Sequence, residues 1–506
     1  MPDGGRPMPD GGRSMPDGGR SDDARPGGQR SWRLREALAA EPPALRADAA
    51  PPFAGSGRAD VAILGGGYTG LWAALRLTEL APGARIVVLE RDVCGGGASG
   101  RNGGFVNGWW DELPALVARH GVDDGVRLAR AIGNAVGEVG EWAASAGVDA
   151  WYRRAGFVQA SAAPAQDGAW REVVELCDRL GLGDEYLPLS ADEVRERVVS
   201  PVFRSGVFMR DGATVQPALL ARGLRRAALE RSVAIHERTR ALPIETDGRG
   251  GRIAIRTRSA VGDGTLVADQ VVVTLNAWAA AWPAYGRRLV TWSSYIVLTE
   301  PIPERLAELG WTGGEGVTDA RFTLHYARTT PDGRIALGGG GGRAGFGGRV
   351  GRVFTHDAGS AARAAAGLRR WFPTLADVRI EDAWGGPIDI TADHLPFVTS
   401  TGRGRVHAGL GFSGNGVGPS LVVGRALAAL AARGDGARED PWGSLPIVGT
   451  VPRAFPPEPL RYLGARAIRE AIVRCELAEE AGRRPGRVVA ALSRVPRRLG
   501  YHLGPE

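Results

Sequence analysis

The chain has 506 residues and 43% hydrophobic content, which is enough for a large core and predicts two interleaved domains. Its formal net charge is +7, but its 63 basic residues are interspersed with 56 acidic ones, so nucleic acid is not an expected partner. Three widely spaced cysteines exclude a disulfide framework and a cysteine metal site. The sequence has no apolar run long enough to cross a membrane, and we expect neither a transmembrane helix nor a signal peptide.

The first 57 residues contain a short repeat with few apolar side chains. The hexapeptide Met-Pro-Asp-Gly-Gly-Arg begins at Met1, Met8 and Met15, which leaves open which methionine starts the translated chain. A segment of this composition cannot form a core. The sequence therefore predicts a mostly disordered tail at 1–57, with one short helix near 32–40.

Residues 60–90 follow the order strand, glycine turn, helix, strand and acidic residue, which is the order that binds a dinucleotide. Gly65 permits a tight turn, Gly67 lets the backbone approach a pyrophosphate, and Gly70 lets the helix pack close to the strand. The helix N-terminus offers N–H groups to phosphates. Glu90 is placed to accept hydrogen bonds from ribose hydroxyls, which favours FAD or NAD over NADP. An ordinary glycine turn is the alternative.

A second glycine-rich loop, at 94–105, follows this acidic residue directly. It carries one cation, Arg101, and several amide or hydroxyl donors. A nicotinamide enzyme does not need such a loop here, whereas an FAD enzyme uses it to carry the backbone past the ribityl and phosphate groups. The loop therefore favours FAD, although a glycine-rich surface loop is the simpler explanation in a chain with 76 glycines.

A third glycine-rich turn lies at 405–420, where the pattern again predicts a strand, a turn and the start of a helix. The N-terminus of that helix is suited to stabilise negative charge on the N1/O2 edge of a reduced flavin. A purely structural turn is the alternative. Beyond it, apolar residues at helical spacing predict an amphipathic helix at 459–481 that packs on the catalytic body or on a partner. Binding to a membrane surface is not expected, because the apolar face is rich in alanine.

Together the three glycine motifs resemble the FAD-dependent oxidoreductases of the D-amino-acid oxidase, glycine oxidase and sarcosine oxidase superfamily, in particular its gamma-glutamylputrescine oxidoreductase-like branch. The resemblance runs from about Ser31 to about Gly434. The segments that carry it are 65–70, 90–91, 97–104 and 411–417, with weaker markers at 31–32, 216–217, 276–278, 330–333, 384–386 and 393–396.

The resemblance implies an α/β fold in which a Rossmann-like FAD-binding domain is interleaved with an α+β substrate domain that contains a mixed sheet. We assign 58–150, 205–285 and 380–435 to the FAD-binding domain and 151–204 and 286–379 to the substrate domain. Residues 436–506 form a C-terminal extension with the amphipathic helix.

The resemblance also assigns FAD-binding positions. Some relatives attach FAD to a cysteine or a histidine, but 322–326 has no cysteine and 95–104 has no histidine, so FAD is expected to be non-covalent. The expected FAD-binding residues are Gly65, Gly67, Tyr68, Thr69, Gly70, Glu90, Arg91, Ala98, Ser99, Arg101, Asn102, Gly103, Ala241, Gly411, Gly414, Asn415, Gly416 and Val417.

The implied reaction is oxidation of a C–N bond in a primary or secondary amine or an amino acid. Hydride passes from the carbon next to a neutral amine to flavin N5, and water hydrolyses the imine. No residue is named as a catalytic acid or base, and no metal is expected. Aromatic side chains select amines by shape and cation–π attraction, and an arginine binds a carboxylate, although a core or solvent-facing role is simpler for each. The pocket candidates are Trp109, Trp110, His325, Tyr326, Arg343, Phe346 and Trp384.

The electron acceptor is open. Some sarcosine-oxidase relatives place a lysine beside flavin N5 to promote the reaction with oxygen, but this sequence contains no lysine. We expect an amine oxidase that reduces oxygen. The alternatives are an amine dehydrogenase that passes electrons to a quinone or a protein, and a redox-silent FAD-binding scaffold, against which the three intact motifs argue. The unpaired cysteines favour a cytoplasmic location. The sequence does not identify the amine or the oligomeric state.

Overall fold

The computed structural model describes residues 30–244, 251–339 and 341–501, and the N-terminal repeats lie outside these ranges. The helices are α1 (Trp32–Ala40), α2 (Tyr68–Leu80), α3 (Leu113–His120), α4 (Val122–Ser145), α5 (Arg171–Arg179), α6 (Ala191–Arg195), α7 (Pro217–Glu230), α8 (Pro303–Glu308), α9 (Ala358–Trp371), α10 (Val417–Arg433), α11 (Leu460–Glu480), α12 (Arg487–Ser493) and α13 (Val495–Arg498). The strands are β1 (Gly55–Leu64), β2 (Ile86–Leu89), β3 (Phe105–Asn107), β4 (Phe157–Ala160), β5 (Tyr186–Leu189), β6 (Gly206–Met209), β7 (Gly212–Thr214), β8 (Ala234–His236), β9 (Thr239–Ala241), β10 (Ile253–Ser259), β11 (Gly262–Val273), β12 (Val290–Thr299), β13 (Gly316–Asp319), β14 (His325–Thr329), β15 (Ile335–Gly339), β16 (Ile380–Ile390), β17 (Phe397–Thr401) and β18 (Val406–Leu410).

The first sheet contains the strand that leads into the first glycine turn. Its order is β17-β18-β11-β1-β2-β8, and β10 and β9 join it beside β11. Strand β1 pairs in parallel with β11 and with β2, and its last four residues are buried. Continuous burial of this kind is typical of a parallel strand that is covered on both faces. Helix α2 packs against α10 on this sheet. The predicted Rossmann-like α/β architecture is confirmed.

The second sheet has the order β16-β12-β15-β14-β13-β4-β6-β5. It is mixed, because β13 pairs in parallel with β4 whereas β14 and β15, for example, pair as antiparallel strands. Helix α9 covers one face, where Leu368 and Trp371 join a core with Val297 and Leu337. This sheet is the counterpart of the mixed sheet that the sequence predicts for the substrate domain.

Two of the predicted domain boundaries disagree with the sheets to which the strands belong. The sequence assigns 205–285 and 380–435 to the FAD-binding domain, yet β6 pairs with β4 and β5, and β16 pairs with β12 along ten residues, from Val290–Ile390 to Thr299–Ile380. Both strands therefore belong to the second sheet, and the chain returns to the first sheet only after each of them. Local residue patterns do not specify the distant strand with which a segment forms backbone hydrogen bonds, and this pairing decides the boundary.

Residues 30–57 are folded, so the predicted disordered tail is wrong for this part of the chain. Helix α1 spans the predicted range, and the Ser31 side chain caps it. The Ser31 hydroxyl also donates to the carbonyl of Gly100 at 2.5 Å, which attaches the segment to the second glycine loop. Glu41 pairs with buried Arg222 at 2.8 Å. These polar contacts, together with the burial of Leu34 and Ala37 against Val93 and Ala218, order the segment.

The C-terminal helices pack together and against the body. The free cysteines Cys94, Cys177 and Cys475 are all buried, and Cys475 on α11 has its Sγ 3.6 Å from the Ser493 Oγ on α12. Helix α11 matches the predicted helix at 459–481. Across the described ranges, every helix is too short or too polar to cross a membrane.

A buried histidine in β18 makes the free energy of unfolding depend on pH. The ring nitrogens of His407 lie 2.8 Å from the Ser400 hydroxyl and 3.1 Å from the Gln270 Oε1, and the side chain is 2% exposed. Burial lowers the pKa of His407 from 6.5 to about 4. Between these values the unfolded chain binds a proton that the folded protein does not bind, so the free energy of unfolding decreases as the pH falls.

We expect His407→Gln to remove the contribution of this histidine to the pH dependence of the free energy of unfolding. The lost stabilisation amounts to about 3 kcal/mol on going from neutral pH to the folded pKa, from the size of the shift. Urea unfolding of the wild type and the variant across this interval checks the prediction. The free energy of unfolding of the wild type should fall more steeply with decreasing pH than that of the variant, and parallel curves would contradict it.

Candidate active site

A large cavity lies where the ends of the first sheet meet one face of the second sheet. Its volume is about 2080 Å³, and all three glycine motifs contribute to its wall. Pockets for single small molecules usually have 300–1,000 Å³, on the order of half this size. The cavity therefore has room for a dinucleotide and a substrate together.

The first glycine turn connects β1 to α2 in the predicted manner. Gly65 has a φ of 109°, and a Cβ there would lie 2.6 Å from the carbonyl oxygen of Thr274. A Cβ at Gly70 would lie 2.1 Å from the carbonyl oxygen of Gly65. These contacts leave no space for a side chain, so α2 starts close to the strand. Its first residues, with Gly67 before them, line the cavity and direct the N-terminus of the helix into it.

Glu90 lines the cavity at the end of β2. Its Oε2 accepts from the Gly66 N–H at 2.8 Å, and its Oε1 accepts from the Asp92 N–H at 2.9 Å. The side chain is buried, which raises its pKa to about 7. The guanidinium of the neighbouring Arg91 lies over the Trp278 ring at 5.2 Å. A carboxylate held by backbone donors at this position is suited to accept from ribose hydroxyls.

The second glycine loop is held by its own polar side chains. The Arg101 guanidinium donates from Nε to the carbonyl of Gly96 at 2.9 Å, and burial lowers its pKa to about 10. Asn102 donates to the carbonyl of Ala98 at 3.1 Å and accepts from the Gly104 N–H at 2.7 Å. The loop therefore presents a buried positive charge and a fixed backbone to the cavity.

The third turn depends on a residue that sequence reasoning missed. Asp389 on β16 is fully buried, and its Oδ2 accepts from the Gly411 N–H at 2.6 Å. Its Oδ1 accepts from the Phe412 N–H at 3.2 Å and from the Asn276 Nδ2 at 2.8 Å. Burial raises its pKa to about 7. The one sign of this role in the sequence is that a carboxylate stands between two apolar residues, Ile388 and Ile390.

Sixteen of the eighteen expected FAD-binding residues line this cavity. The two exceptions are Gly70, which packs α2 on β1, and Gly411, which donates its N–H to Asp389. The residues that line the cavity are Gly65, Gly67, Tyr68, Thr69, Glu90, Arg91, Ala98, Ser99, Arg101, Asn102, Gly103, Ala241, Gly414, Asn415, Gly416 and Val417.

Tyr326 is the pocket candidate that lines the cavity. Its hydroxyl lies 2.8 Å from the Ser294 Oγ, and burial raises its pKa to about 12. The ring meets the Phe105 ring edge to face at 5.5 Å. A Cβ at Gly103 would lie 2.9 Å from the same ring. Tyr326 therefore joins the second sheet to the second glycine loop at the cavity wall.

The tryptophan candidates lie in the core instead. Trp109 and Trp110 are 2% and 1% exposed, and the Trp110 indole donates to the Asp211 Oδ2 at 3.0 Å. The buried Trp384 indole donates to the carbonyl of Arg101 at 2.9 Å. None of the three lines the described cavity. The prediction of substrate contact is not supported for them because all three rings are buried away from the cavity wall, and Trp384 instead supports the second glycine loop.

The remaining candidates also lie outside the described cavity wall. His325 is buried, with its Nδ1 3.0 Å from the Asp319 Oδ2. Arg343 pairs with Asp357 at 3.2 Å and its side chain is 45% exposed. Phe346 is exposed at the surface. None of these side chains lines the described cavity, so their assignment to a substrate wall is wrong.

The histidine belongs to a polar cluster that resembles a metal site. Ligand atoms of Asp319, His325 and Glu480 lie within 4.8 Å of one another. The Arg321 guanidinium, however, lies 3.0 Å from Glu480 and 3.2 Å from the His325 Nδ1. Because an arginine already supplies the positive charge, we assign no metal to this cluster.

The C-terminal extension contributes a wall of the cavity, which the sequence did not reveal. One face of α11 lines it with Leu460, Gly464, Ile468 and Ile472, at intervals of four residues. The end of the same helix is anchored by Glu476. Its Oε1 accepts from the Thr323 N–H at 2.8 Å, and its Oε2 lies 3.0 Å from the Arg321 guanidinium.

We expect Glu476→Ala to release α11 from the body. The substitution leaves the buried Arg321 charge and the Thr323 N–H without this acceptor, at a cost of about 3 kcal/mol. Hydrogen exchange of α11 amides should accelerate, and the melting temperature should fall. Glu470→Ala on the exposed face of the same helix is the matched control. Equal exchange rates in the two variants would contradict the anchoring role of Glu476.

Parallel strands that lead into a glycine turn, a buried carboxylate at the end of the next strand, and two further glycine loops around one large cavity are the features of a flavin-dependent oxidoreductase. The sequence model of the family described as FAD dependent oxidoreductase matches residues 60–430, and the chain belongs to this family. The family predicted from the three motifs is thus confirmed, and FAD is the cofactor.

Known proteins agree with this assignment. The chain is 32% identical over 392 residues to a probable oxidoreductase OrdL of Rhizobium meliloti, covering 75% of this chain and 85% of that protein. It is 30% identical over 402 residues to gamma-glutamylputrescine oxidoreductase of Escherichia coli, covering 76% and 86%. Among solved structures, glycine oxidase from Geobacillus kaustophilus has a TM-score of 0.59 at 19% identity, covering 74% of this chain and 95% of that one.

Proposed function

We propose that the protein oxidises a C–N bond of a primary or secondary amine or an amino acid. The observation that carries the proposal is the cavity itself, in which the three glycine motifs face an aromatic wall from the second sheet. The similarity to gamma-glutamylputrescine oxidoreductase supports an amine substrate. A cytoplasmic location remains a prediction.

The residues around the cavity fit FAD. The glycine before α2 keeps its backbone accessible, because a Cβ at Gly67 would lie 2.9 Å from the Ser99 Oγ. The N-terminus of α2 binds the pyrophosphate, and Glu90 accepts from the ribose hydroxyls. The N-terminus of α10, at Gly416 and Val417, would stabilise negative charge on the pyrimidine edge of the ring system. The absence of a cysteine or histidine tether at the family positions supports non-covalent binding.

The second sheet positions the substrate. FAD, when bound, accepts a hydride from the carbon next to the nitrogen. The side chains of Trp292, Tyr326 and Ile388 on this sheet, with Phe105 on β3, line the cavity and form an apolar wall. This wall excludes water from the reacting carbon and favours the neutral form of the amine, which is the hydride donor.

We take oxygen as the electron acceptor. Lysine is absent from the sequence, and we propose that an arginine supplies positive charge near the ring in its place. Arg101 is 5% exposed and lines the cavity beside the second glycine loop. A buried positive charge in this place favours the transfer of negative charge to oxygen.

Anaerobic titration of the purified flavoprotein with amines tests the proposal. The panel contains gamma-glutamylputrescine, putrescine, butylamine, sarcosine, glycine and D-alanine, and the flavin absorbance is recorded. We expect one or more amines to bleach the flavin and air to restore the colour. Recovery with a quinone or dye but not with air would identify a dehydrogenase. A bound flavin that no amine bleaches would favour a redox-silent scaffold and contradict the proposal.

A further inference from the structure

Helix α11 lies along one edge of the second sheet. Near its start, the Arg461 guanidinium donates to the carbonyl of Leu289, directly before β12, at 3.1 Å. In its middle, the Arg469 guanidinium donates to the carbonyl of Gly341, shortly after β15. Its last turn is anchored at Thr323, shortly before β14. Because β12, β15 and β14 are neighbours in the sheet, the helix crosses the ends of three adjacent strands.

The aromatic wall of the cavity lies beside this edge of the sheet. Trp292 is the third residue of β12, and Tyr326 is the second residue of β14. A strand rises about 3.3 Å per residue, so both residues lie within about 10 Å of the strand ends that α11 crosses. Both side chains line the same cavity as the helix. The helix and the aromatic wall therefore border the same part of it.

The surface that α11 adds to the cavity is apolar. The residues that form it repeat every four positions and are Leu460, Gly464, Ile468 and Ile472. Two arginines of the helix, Arg461 and Arg469, also line the cavity, but their guanidinium groups donate to backbone carbonyls. A ligand group next to this helix face therefore meets hydrocarbon side chains.

The space in front of this helix face is open. A Cβ added at Gly464 would meet no atom of the described chain within 4 Å, its own helix apart. Ile468 lines the cavity and is only half-buried. Removal of apolar surface from water is favourable in proportion to its area. An apolar group that enters the gap between α11 and the sheet is therefore stabilised on both sides.

We propose that α11 is a specificity wall, on which Gly464 and Ile468 select amines that carry an aliphatic or aromatic group beyond the oxidised carbon. The inference rests on the proposed amine oxidation, which places the reacting carbon at the aromatic wall. The apolar group of the substrate then lies between this wall and the helix. Helix α11 follows the residues 60–430 that match the family model, so the family match does not describe this contact.

Hexylamine and propylamine test the inference, because they share the reacting group and differ only in chain length. Each methylene that becomes buried raises kcat/KM about fourfold, so the wild-type holoenzyme should prefer hexylamine about tenfold to sixtyfold. Gly464→Leu fills the gap and should lower the ratio of the two kcat/KM values about tenfold. Ile468→Ala removes contact area instead and should lower the ratio about fivefold. It replaces Gly464→Leu if that variant fails to retain FAD.

Ala467→Leu, at an exposed position on the same helix, is the matched control and should keep the wild-type ratio. A wild type without a preference for hexylamine would overturn the inference. So would an unchanged ratio in both wall variants, or an equal loss in the control, which would assign the effect to the helix as a whole.

Failure of the proposed function gives a different result, in which neither amine reduces the flavin. The wall is then tested by binding alone, through the flavin absorption spectrum. Hexylamine should shift the spectrum of the wild type at lower concentration than propylamine does, and Gly464→Leu should remove this difference. Equal behaviour of the two amines with the wild type would overturn the inference, as would a difference that Gly464→Leu retains.

Discussion

Alanine at position 70 is expected to remove most of the bound FAD. Gly70 lies in the first turn of α2, where an added Cβ would lie 2.1 Å from the carbonyl oxygen of Gly65 and 2.8 Å from the Thr274 Oγ1. The closer contact is with the backbone, which cannot rotate away, so α2 must move away from β1. Its N-terminus then no longer points at the pyrophosphate. We expect the affinity for FAD to fall about a hundredfold, which corresponds to about 3 kcal/mol.

The ratio of flavin to protein absorbance after gel filtration measures this loss, and titration of the apoprotein with FAD gives the dissociation constant. Gly436→Ala is the control, because no atom lies within 4 Å of an added Cβ there and its backbone is unstrained. The control should bind FAD as the wild type does. Full retention of FAD by Gly70→Ala would show that the close packing of α2 on β1 is not required for the site.

The part of the site that the sequence predicts is the part that depends on local structure. The first glycine turn, its helix and the acidic residue at the end of β2 are encoded within about thirty consecutive residues. Steric demands there act between neighbours in sequence, as between Gly65 and Gly70. The position of these residues around one cavity therefore follows from their pattern, and so does the parallel pairing of β1 with β2.

The direction of the substrate-pocket side chains depends on strands that are distant in sequence. His325 and Tyr326 are adjacent on β14, and adjacent residues of a strand point to opposite faces of the sheet. Only one of them can line the cavity, and pairing of β14 with β13 and β15 decides which one. Both residues were predicted to contact the substrate because the sequence shows that their side chains are aromatic but not how β14 is aligned with its neighbouring strands. The same limit applies to Trp110 and Trp384, whose hydrogen-bond partners lie about a hundred or more residues away in the sequence.

Polar anchors are the least visible in the sequence. Glu41 and Glu476 each hold a helical segment against the body through a buried arginine, Arg222 and Arg321 respectively. Charged residues are frequent at exposed positions, so a single glutamate gives no sign that it will be buried. The N-terminal segment and the C-terminal cavity wall therefore became apparent only from the three-dimensional contacts.

Removal of the Asp389 carboxylate is expected to disorder the third glycine turn. Three donors converge on it, from the Gly411 N–H, the Phe412 N–H and the Asn276 side chain. In Asp389→Ala all three lose this acceptor in a site from which water is excluded, at a cost of about 1–3 kcal/mol each. We expect the free energy of unfolding to fall by about 4 kcal/mol and FAD to dissociate more readily, because α10 begins directly after this turn.

Chemical denaturation and FAD titration measure the two effects, and Asp435→Ala, at an exposed position after α10, is the control. Asp389→Asn separates charge from hydrogen bonding. It keeps one acceptor oxygen but places an NH₂ group against a backbone N–H, so it should remain less stable than the wild type. Burial raises the pKa of Asp389 from 3.8 to about 7, so between these values the folded protein keeps a proton that the unfolded chain has released, and the free energy of unfolding falls as the pH rises. The deficit of Asp389→Asn should therefore shrink over this interval and stay level above it, and a deficit that grows over the interval would show that the ionised carboxylate is the stabilising form.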